Sequence, residues 1–383
     1  MPRPEYVGEL LIRDPRHRTI RTVFEKRLYH HMDWGLLAAV LALCVIGLTQ
    51  IYSATGGWTP IVETQIYGIL LGLVALTVCL SVDYRSLADK SHFIYLAIIA
   101  ALVYVLFFGD VRGGARRWID FGAFNLQPSE FAKLGLALVL AKFVGDNRRG
   151  GVSGMDLVIV AVLTAVPLII IGRQPDLGSA ALLIPVAFIV AFAAGMPMRL
   201  LGMLALVGLL AAPVVWKFAL QDYQQERIST FLDPSQDARG AGYQQIQARI
   251  TVGSGGAWGQ GFTEGTQGQL RFLPVAHNDF IFSVLAEEQG FAGVIVALGL
   301  YLFVILRALE SARLAKDRLG AYLVLGVLAS FTFQVIYNIT MSAGLAPVKG
   351  LTLPLMSYGG SSMIATLAGF GLMLNVRMRR FTN

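Results

Sequence analysis

Residues 272–290 read FLPVAHNDFIFSVLAEEQG, and within them a long polar segment gives way to a run of apolar residues. Such a boundary is typical of a chain that enters a membrane as a helix. If the helix starts near Phe280, Asp279 lies in its first turn, where free backbone N–H groups would keep the carboxylate ionised. With His277 two residues before it, that carboxylate is placed to accept a proton from a hydroxyl group at the membrane surface. The alternative is that Asn278 or Asp279 only caps the helix.

The composition indicates a membrane protein. Of the 383 residues, 55% are hydrophobic and only 14% are charged, and the mean hydropathy is +0.63, whereas globular domains carry roughly 25% charged residues. Both cysteines, Cys44 and Cys79, lie in apolar runs, so neither a disulfide framework nor a thiolate metal site is indicated. The formal net charge is +7. The placement of the basic residues explains this charge better than a nucleic-acid partner does, and no such partner is expected.

Ten apolar runs of membrane-spanning length predict an all-α, polytopic protein. They lie near residues 34–54, 62–82, 91–108, 130–145, 155–171, 179–195, 198–219, 280–306, 320–341 and 362–376. The simplest division is one membrane domain over residues 34–376, with a large polar loop at 220–278 between the seventh and eighth helices. A basic tail, residues 1–33, precedes the domain, and a short tail, residues 377–383, follows it. The first tail has no apolar core with a cleavage site, so no signal peptide is predicted.

The distribution of Lys and Arg predicts the orientation. With the N-terminus in the cytoplasm, the inner segments hold 20 of these residues, and the short outer loops hold five: Arg112, Arg116, Arg117, Arg173 and Lys349. Because basic residues concentrate on the cytoplasmic side, both termini are predicted to lie there. The loop at 220–278 is then extracytoplasmic.

Two adjacent arginines break this rule. Arg116 and Arg117 fall on the predicted outer side, beside Trp118, an aromatic residue suited to the headgroup level. Adjacent arginines can bind a diphosphate through paired N–H groups. Alternatively they hold Asp110 or Asp120, or bind a phospholipid headgroup.

Further polar residues lie close to predicted helix ends. Pro128 suits the first turn of a helix, and Glu130 and Lys133 would then share one face. A lysine inside a span indicates function, although a plain ion pair with Glu130 would also explain it. Asp176 interrupts two spans at the outer face. Glu287 is predicted to lie on the Asp279 face of the eighth helix and to share its cavity, with Lys133 as a partner for one of the two carboxylates.

The stretch APVKGLTLPLMSYGGSS, residues 346–362, is rich in Pro and Gly. Irregular backbone at membrane depth must be buried in protein or line a watery cavity. Lys349 and Ser361 are polar groups that this stretch offers to a substrate, and a purely structural turn is an equal alternative. The glycines between residues 253 and 261 lack the Gly-Lys-Ser/Thr of a phosphate loop and are interpreted as a flexible loop.

Six segments together resemble the SEDS family (shape, elongation, division and sporulation). They are GARRWI, FNLQPSEFAKLG, QPDLGSA, LDPSQDARGAGYQQIQARITVGSGG, GTQGQLRFLPVAHNDFIFSVLAEEQG and LPLMSYGGSS. They occur in order between about Asp33 and Arg380. The words in GTQGQLRFLP are more similar to the RodA branch, which serves elongation, than to the FtsW branch, which serves division.

The resemblance implies a peptidoglycan glycosyltransferase that polymerises lipid II at the outer face of the bacterial cytoplasmic membrane. It also implies a divalent cation (Mg or Mn) with unknown ligands, and a class B penicillin-binding protein as partner. Asp279 would be the catalytic base. The candidate substrate-binding residues are Arg116, Arg117, Trp118, Glu130, Lys133, Asp176, His277, Glu287, Lys349 and Ser361. The alternatives are a flippase or transporter of the same lipid precursor, a division polymerase, and a non-catalytic scaffold for the penicillin-binding protein.

Overall fold

The chain is mainly helical. The computed structural model describes residues 31–112, 115–120, 122, 125–146, 152–218, 222–237, 240–269 and 272–381. Most of the predicted basic tail, residues 1–30, and the last two residues of the predicted C-terminal tail lie outside the described residues. The helices of the first half are α1 Trp34–Ala54, α2 Pro60–Ser81, α3 Tyr84–Asp89, α4 Ser91–Phe108, α5 Pro128–Asp146, α6 Gly154–Arg173, α7 Leu177–Ala181 and α8 Leu183–Ala193.

The second half begins with an apolar helix, continues with three α-helices of the large polar segment and ends with three long helices. They are α9 Met198–Phe218, α10 Asp222–Leu232, α11 Ala241–Ser254, α12 Thr266–Gln269, α13 Ile281–Arg313, α14 Arg318–Ser342 and α15 Gly360–Met378. Each of the ten predicted apolar runs coincides with a helix, the sixth with α7 and α8 together. The segment at 220–278 is therefore more than a plain loop, because its described part contains three helices.

Six of the described helices are long and apolar enough to cross a membrane: α1, α2, α4, α6, α13 and α14. Leu177–Ala193 forms a shorter apolar helix. A mainly helical chain with several apolar spans agrees with the predicted class, while the crossing of the membrane by all ten helices stays a prediction.

A small sheet interrupts the helices between α4 and α5, which the prediction of an all-α chain missed. Its antiparallel strands are β1 Asp110–Arg112, β2 Ala115–Asp120 and β3 Asn125–Leu126, in the order β1-β2-β3. The strands have only three, six and two residues, too few for a clear alternation of apolar and polar residues. The sheet leads the chain from the end of α4 to the start of α5.

The long helices pack closely around α14. This helix contacts α5, α8, α13 and α15, and α15 in turn packs along α2. At the contact between α2 and α15 two glycines meet: a Cβ atom on Gly68 would lie 3.0 Å from the Cα atom of Gly360. Small residues allow such close approach between helices in a membrane, where the lipid tails are as apolar as the side chains.

Ion pairs join the helix ends on the side predicted to be cytoplasmic. Asp33 is buried and contacts Arg307 at 2.9 Å and Arg377 at 2.8 Å. Arg85 contacts Asp317, the cap of α14, at 2.9 Å. These residues come from four segments of the chain that the Lys and Arg distribution places on one side, and the structure does bring the segments together.

Candidate active site

The site is built around the start of α13. The helix begins at Ile281, its N-cap residue is Phe280, and no side chain caps it. The alternative that Asn278 or Asp279 caps the helix is therefore wrong. Instead, the backbone carbonyl of Asp279 accepts a hydrogen bond of 2.8 Å from the side-chain amide of Asn338, which leaves the carboxylate free for other contacts.

The carboxylate of Asp279 is half-buried and close to cations. Its Oδ1 atom is buried and has no hydrogen-bond partner among the described residues. Burial raises the pKa of Asp279 from 3.8 to about 6, against the opposing charges of Arg227 and Arg117. The loss of water therefore outweighs these charges, although a carboxyl group with a pKa of about 6 is still mostly ionised at pH 7, as expected from the sequence.

Helix α14 connects Asp279 to Lys133. The amide of Asn338 also donates to the carbonyl of Leu351 at 2.7 Å. One turn earlier, the side-chain oxygen of Gln334 accepts a hydrogen bond of 3.1 Å from Lys133 Nζ, and its amide donates to Thr352. Two amides four residues apart on one helix face therefore contact the Lys133 ammonium and the backbone of Asp279, and both also contact the segment at 351–352.

Lys133 and Glu130 form a buried ion pair, as their spacing indicates. Nζ of Lys133 lies 2.8 Å from Oε2 of Glu130, and both side chains are almost fully buried. A cavity of about 10 Å³ next to Lys133 is lined partly by Ser330, Gln334 and Thr366. That volume is close to what one water molecule needs. A small space with a mostly apolar lining therefore lies next to Lys133.

The two adjacent arginines contact different groups. Arg116 is exposed and donates to the carbonyl of Phe107 at 2.9 Å. Arg117 is half-buried, and its NH1 atom lies 3.8 Å from Oδ1 of Asp176. These separate contacts do not favour a shared diphosphate fork, which stays a prediction. Of the two adjacent arginines, Arg117 is the one that acts on Asp279 through its charge.

Asp176 and Ser361 fix the start of α5. Asp176 caps α7 by accepting from the backbone N–H of Ser179 at 3.2 Å. Its other oxygen accepts from the side-chain amide of Gln127 at 3.2 Å. The hydroxyl of Ser361 donates to the carbonyl of Asn125 at 2.7 Å and accepts from the backbone N–H of Gln127 at 3.0 Å. Both residues position the turn that leads into the helix of Glu130 and Lys133.

His277 lies two residues before Asp279 in the chain, and Lys349 belongs to a distant segment that adjoins the Asp279 carboxylate. Burial lowers the pKa of His277, and its ring meets that of Tyr358 edge-on with centroids 5.7 Å apart. Burial and the charge of Arg227 lower the pKa of Lys349. Residue 350 follows directly: a Cβ atom there would lie 3.6 Å from Oδ2 of Asp279. The segment at 349–352 therefore forms one wall around the carboxylate.

Two candidate residues lie away from this arrangement. Glu287 is fully buried, but its carboxylate accepts from the backbone N–H of Gln267 at 2.8 Å and does not pair with Lys133. The prediction of a cavity shared with Asp279 was wrong, because the segment at 266–269 folds back onto α13 and binds this carboxylate. Trp118 is partly exposed in β2, opposite Asp110.

Three residues with a place in the site were not singled out from the sequence. Gln334 and Asn338 were detectable, since two amides four residues apart in an apolar run indicate a face turned toward protein and away from lipid. Arg227, in α10, lowers the pKa of Asp279 by its charge. Nothing in its local sequence distinguishes it from the other basic residues of the segment at 220–278.

The residues present fit a divalent cation only if a substrate shares it. Among the described residues, no group of three or more His, Cys, Asp or Glu side chains could hold a metal ion. Asp279 offers one carboxylate with an unpartnered oxygen. Mg²⁺ is commonly held by one or two carboxylates together with substrate phosphates. A shared cation between Asp279 and a diphosphate is thus compatible with these side chains.

The chain is similar to known proteins over most of its length. The family model for cell cycle proteins, FTSW_RODA_SPOVE, matches residues 31–381. The peptidoglycan glycosyltransferase MrdB of Escherichia coli (strain K12) is 38% identical over 350 residues, which cover 91% of this chain and 94% of MrdB.

Two solved structures are similar over most of the chain. The rod shape determining protein RodA of Thermus thermophilus has a TM-score of 0.70 and 33% identity, covering 92% of this chain and 98% of RodA. The second is a chain of a peptidoglycan synthase complex, whose structure is described as showing the coordination of polymerization and crosslinking. It has a TM-score of 0.81 and 35% identity, covering 92% of this chain and 99% of the other.

Proposed function

The chain belongs to the FtsW/RodA/SpoVE family of cell cycle proteins, and on that premise we propose that it is a peptidoglycan glycosyltransferase that polymerises lipid II during cell elongation. The observation that carries the proposal is the carboxylate of Asp279. It is half-buried at the start of a membrane helix, has an unpartnered oxygen, and experiences the positive charges of Arg117 and Arg227.

Asp279 acts as the general base in this proposal. A sugar hydroxyl of the acceptor attacks the anomeric carbon of the donor and loses its proton to the carboxylate. With a pKa of about 6, Asp279 is mostly ionised at pH 7 and yet more basic than an ordinary aspartate. Because burial lowers the pKa of His277, its imidazole is neutral at that pH and orients the carboxylate of Asp279 without adding charge.

The cations of the site bind the leaving group. The donor departs from a lipid diphosphate, on which negative charge builds as the glycosidic bond breaks, and fixed cations stabilise that charge most effectively where water is excluded. Lys133 and Arg117 are the candidates, since one is connected to Asp279 through α14 and the other acts on it electrostatically. A single displacement inverts the donor carbon and gives a β linkage from an α-linked donor.

A divalent cation completes the proposed charge balance. Asp279 would hold Mg²⁺ or Mn²⁺, and the ion would supply further neutralisation of the leaving group. The support from this chain is the unpartnered Oδ1 atom of Asp279.

The proposed location is the cytoplasmic membrane of a bacterium. All ten predicted helices cross the bilayer, both termini lie in the cytoplasm, and the segment at 220–278 with the site lies outside, where lipid II is polymerised. Six sufficiently long apolar helices and the distribution of Lys and Arg support this arrangement.

The proposed partner is a class B penicillin-binding protein that crosslinks the new strands. The similar chain from a peptidoglycan synthase complex, described by its coordination of polymerization with crosslinking, supports this assignment. The elongation role is supported by the similarity to RodA and MrdB.

The decisive experiment mixes the purified protein with lipid II and a divalent cation in detergent and measures glycan length. The unaltered protein is expected to produce polymer, Asp279→Asn none, and Glu264→Gln, in an exposed loop, the same polymer as the unaltered protein. A flippase makes no glycosidic bond and yields no glycan in this assay. Full polymer from Asp279→Asn would falsify the role of the carboxylate.

A further inference from the structure

Helix α13 is broken near its start. Gly290 has φ 62° and ψ −162°, so it divides α13 into a first part, residues 281–289, and a second part, residues 291–313. A Cβ atom on residue 290 would lie 2.2 Å from the backbone nitrogen of Gly259. A side chain is therefore excluded both by the backbone conformation and by the approach of another segment.

Residues 255–261 bridge this break by backbone hydrogen bonds. The N–H groups of Gln260 and Gly261 donate to the carbonyls of residues 287 and 288 at 2.9 and 3.1 Å. In return, the N–H groups of residues 291 and 292 donate to the carbonyls of residues 256 and 257 at 2.9 and 3.1 Å. The bridging segment thus satisfies backbone groups on both sides of the break, which would otherwise lack helical partners.

The glycines of the bridge are required by contact and are not a sign of flexibility. A Cβ atom on Gly255 would lie 1.9 Å from the carbonyl oxygen of Ala286, and one on Gly259 would lie 2.1 Å from that of Glu288. Cβ atoms do not come so close to atoms to which they are not bonded. The interpretation of residues 253–261 as a flexible loop was wrong, because their backbone packs directly against α13.

Two buried carboxylates extend the contact beyond the backbone. Oε1 of Glu287 accepts from the backbone N–H of Gln267 at 2.8 Å and from the hydroxyl of Thr266 at 3.4 Å. Glu288 accepts a hydrogen bond from Ser53 in α1 and one from the backbone N–H of Thr263. The first part of α13 is therefore attached to residues 255–267 at its C-terminal end by both backbone and side chains.

Asp279 lies at the opposite end of the same short helix. Its backbone is held there by Asn338, and the carbonyl of His277 accepts from the N–H of Tyr358 at 3.0 Å. From Asp279 to Gly290 is a distance of about 16 Å at the rise of an α-helix. A tilt of only about 4° at the break would displace the carboxylate by about 1 Å. A displacement of that size can reduce a rate by about 100-fold.

We infer that Glu287 is a positioning residue for Asp279. By accepting the hydrogen bonds of residues 266 and 267, it holds the segment 255–267 against the first part of α13 and so fixes the direction of that short helix. In this arrangement Glu287 acts through Asp279. The inference rests on the proposed function for its kinetic consequence, but its structural part stands without it.

The test compares Glu287→Ala with Glu287→Gln, using Glu264→Ala in the same segment as the matched control. The hydrogen bonds from residues 266 and 267 go to one oxygen of Glu287, and the amide of Gln keeps such an oxygen. We expect Glu287→Ala to lower kcat about 10- to 100-fold with KM for lipid II changed less than about threefold. Glu287→Gln is expected to stay within about threefold of the unaltered protein, as is the control.

Hydrogen exchange gives a readout that is independent of activity. In Glu287→Ala, amides of residues 281–289 are expected to exchange at least about tenfold faster, while those of α14 keep their protection. Should Glu287→Ala fail to fold, Gln267→Pro removes the main donor from the other side and is expected to give the same two effects.

Several results would overturn the inference. Unchanged exchange at residues 281–289 in both variants shows that Glu287 does not hold this helix. Faster exchange with an unchanged kcat shows that holding it is irrelevant to Asp279. Equal loss in Glu287→Gln and Glu287→Ala shows that the charge is needed and not the hydrogen bonds. If the unaltered protein makes no glycan, the proposed function fails, and the exchange data still decide the structural part.

Discussion

The proposed base gives a specific dependence of rate on pH. Burial raises the pKa of Asp279 to about 6, and only the ionised carboxylate can accept the proton of the acceptor hydroxyl. By the titration of a single group, about 90% of Asp279 is ionised at pH 7 and about 10% at pH 5. The rate of polymerisation is therefore expected to fall about ninefold over this interval. An aspartate with an ordinary pKa stays more than about 90% ionised at pH 5.

The direction of a shift in this profile can be tested by removing a neighbouring charge. The positive charge of Arg227 lowers the pKa of Asp279, so Arg227→Ala raises it and moves the acid limb to higher pH. A divalent cation on the carboxylate lowers its pKa, so initial rates of glycan formation from lipid II between pH 4.5 and 8 are measured for both proteins at the lowest cation concentration that supports synthesis. A limb below pH 4.5, or one that Arg227→Ala moves to lower pH, would contradict the assignment of Asp279 as the base.

The same shift predicts the stability of the inactive variant. Since the pKa of Asp279 is higher in the folded than in the unfolded protein, its stabilising effect is present below about pH 4 and is lost as the pH rises through 6. At pH 7 the ionised carboxylate costs at most about 3 kcal/mol, and less where water reaches it. Asp279→Asn removes this cost, so the Tm at pH 7 is expected to be unchanged or higher. A clear fall in Tm would show that the carboxylate stabilises the fold.

Three further predictions follow from individual contacts. Lys133→Met leaves Glu130 buried without its partner and should cost about 3–5 kcal/mol, seen as a lower Tm; adding Glu130→Gln should restore the Tm without restoring glycan synthesis. Gly290→Ala should reduce the yield of folded protein, because a Cβ atom does not fit there, whereas Gly299→Ala in the same helix meets nothing within 4 Å and should have no effect. Arg117→Ala should lower the initial rate at least tenfold more than Arg116→Ala, since of these two arginines Arg117 is the one whose charge acts on the base. Equal losses in the two variants would refute this.

Apolar length and charge distribution were sufficient to find the helices. Each run of about 20 apolar residues coincides with a helix, because a membrane-spanning segment must satisfy its backbone hydrogen bonds internally. The pairing of Lys133 with Glu130 was also readable, since residues three apart on a helix share a face. The position of Asp279 at the start of α13 followed from the boundary between polar and apolar residues. All of these features depend on residues close together in the sequence, so the sequence alone was enough to predict them.

The errors concern contacts between distant segments. Arg116 and Arg117 were expected to act together, but they contact different groups, and a six-residue strand has no reliable signature. Glu287 was assigned to the Asp279 cavity by helical spacing alone. The spacing could not reveal that residues 266 and 267 return to α13 and bind this carboxylate. A glycine-rich segment likewise has the same composition whether it is free or packed against a helix.

The arrangement of the amides on α14 has a mechanistic consequence. Gln334 contacts the ammonium of Lys133, and Asn338, about 6 Å further along the same rigid helix, contacts the backbone of Asp279. A shift of α14 therefore moves both contacts together and preserves the distance between base and buried cation. Arg117 comes from β2 and is held by Asp176. Substitutions that displace α14 should thus move the base and Lys133 together, whereas Arg117→Ala should remove a cation and raise the pKa of Asp279 without moving Lys133.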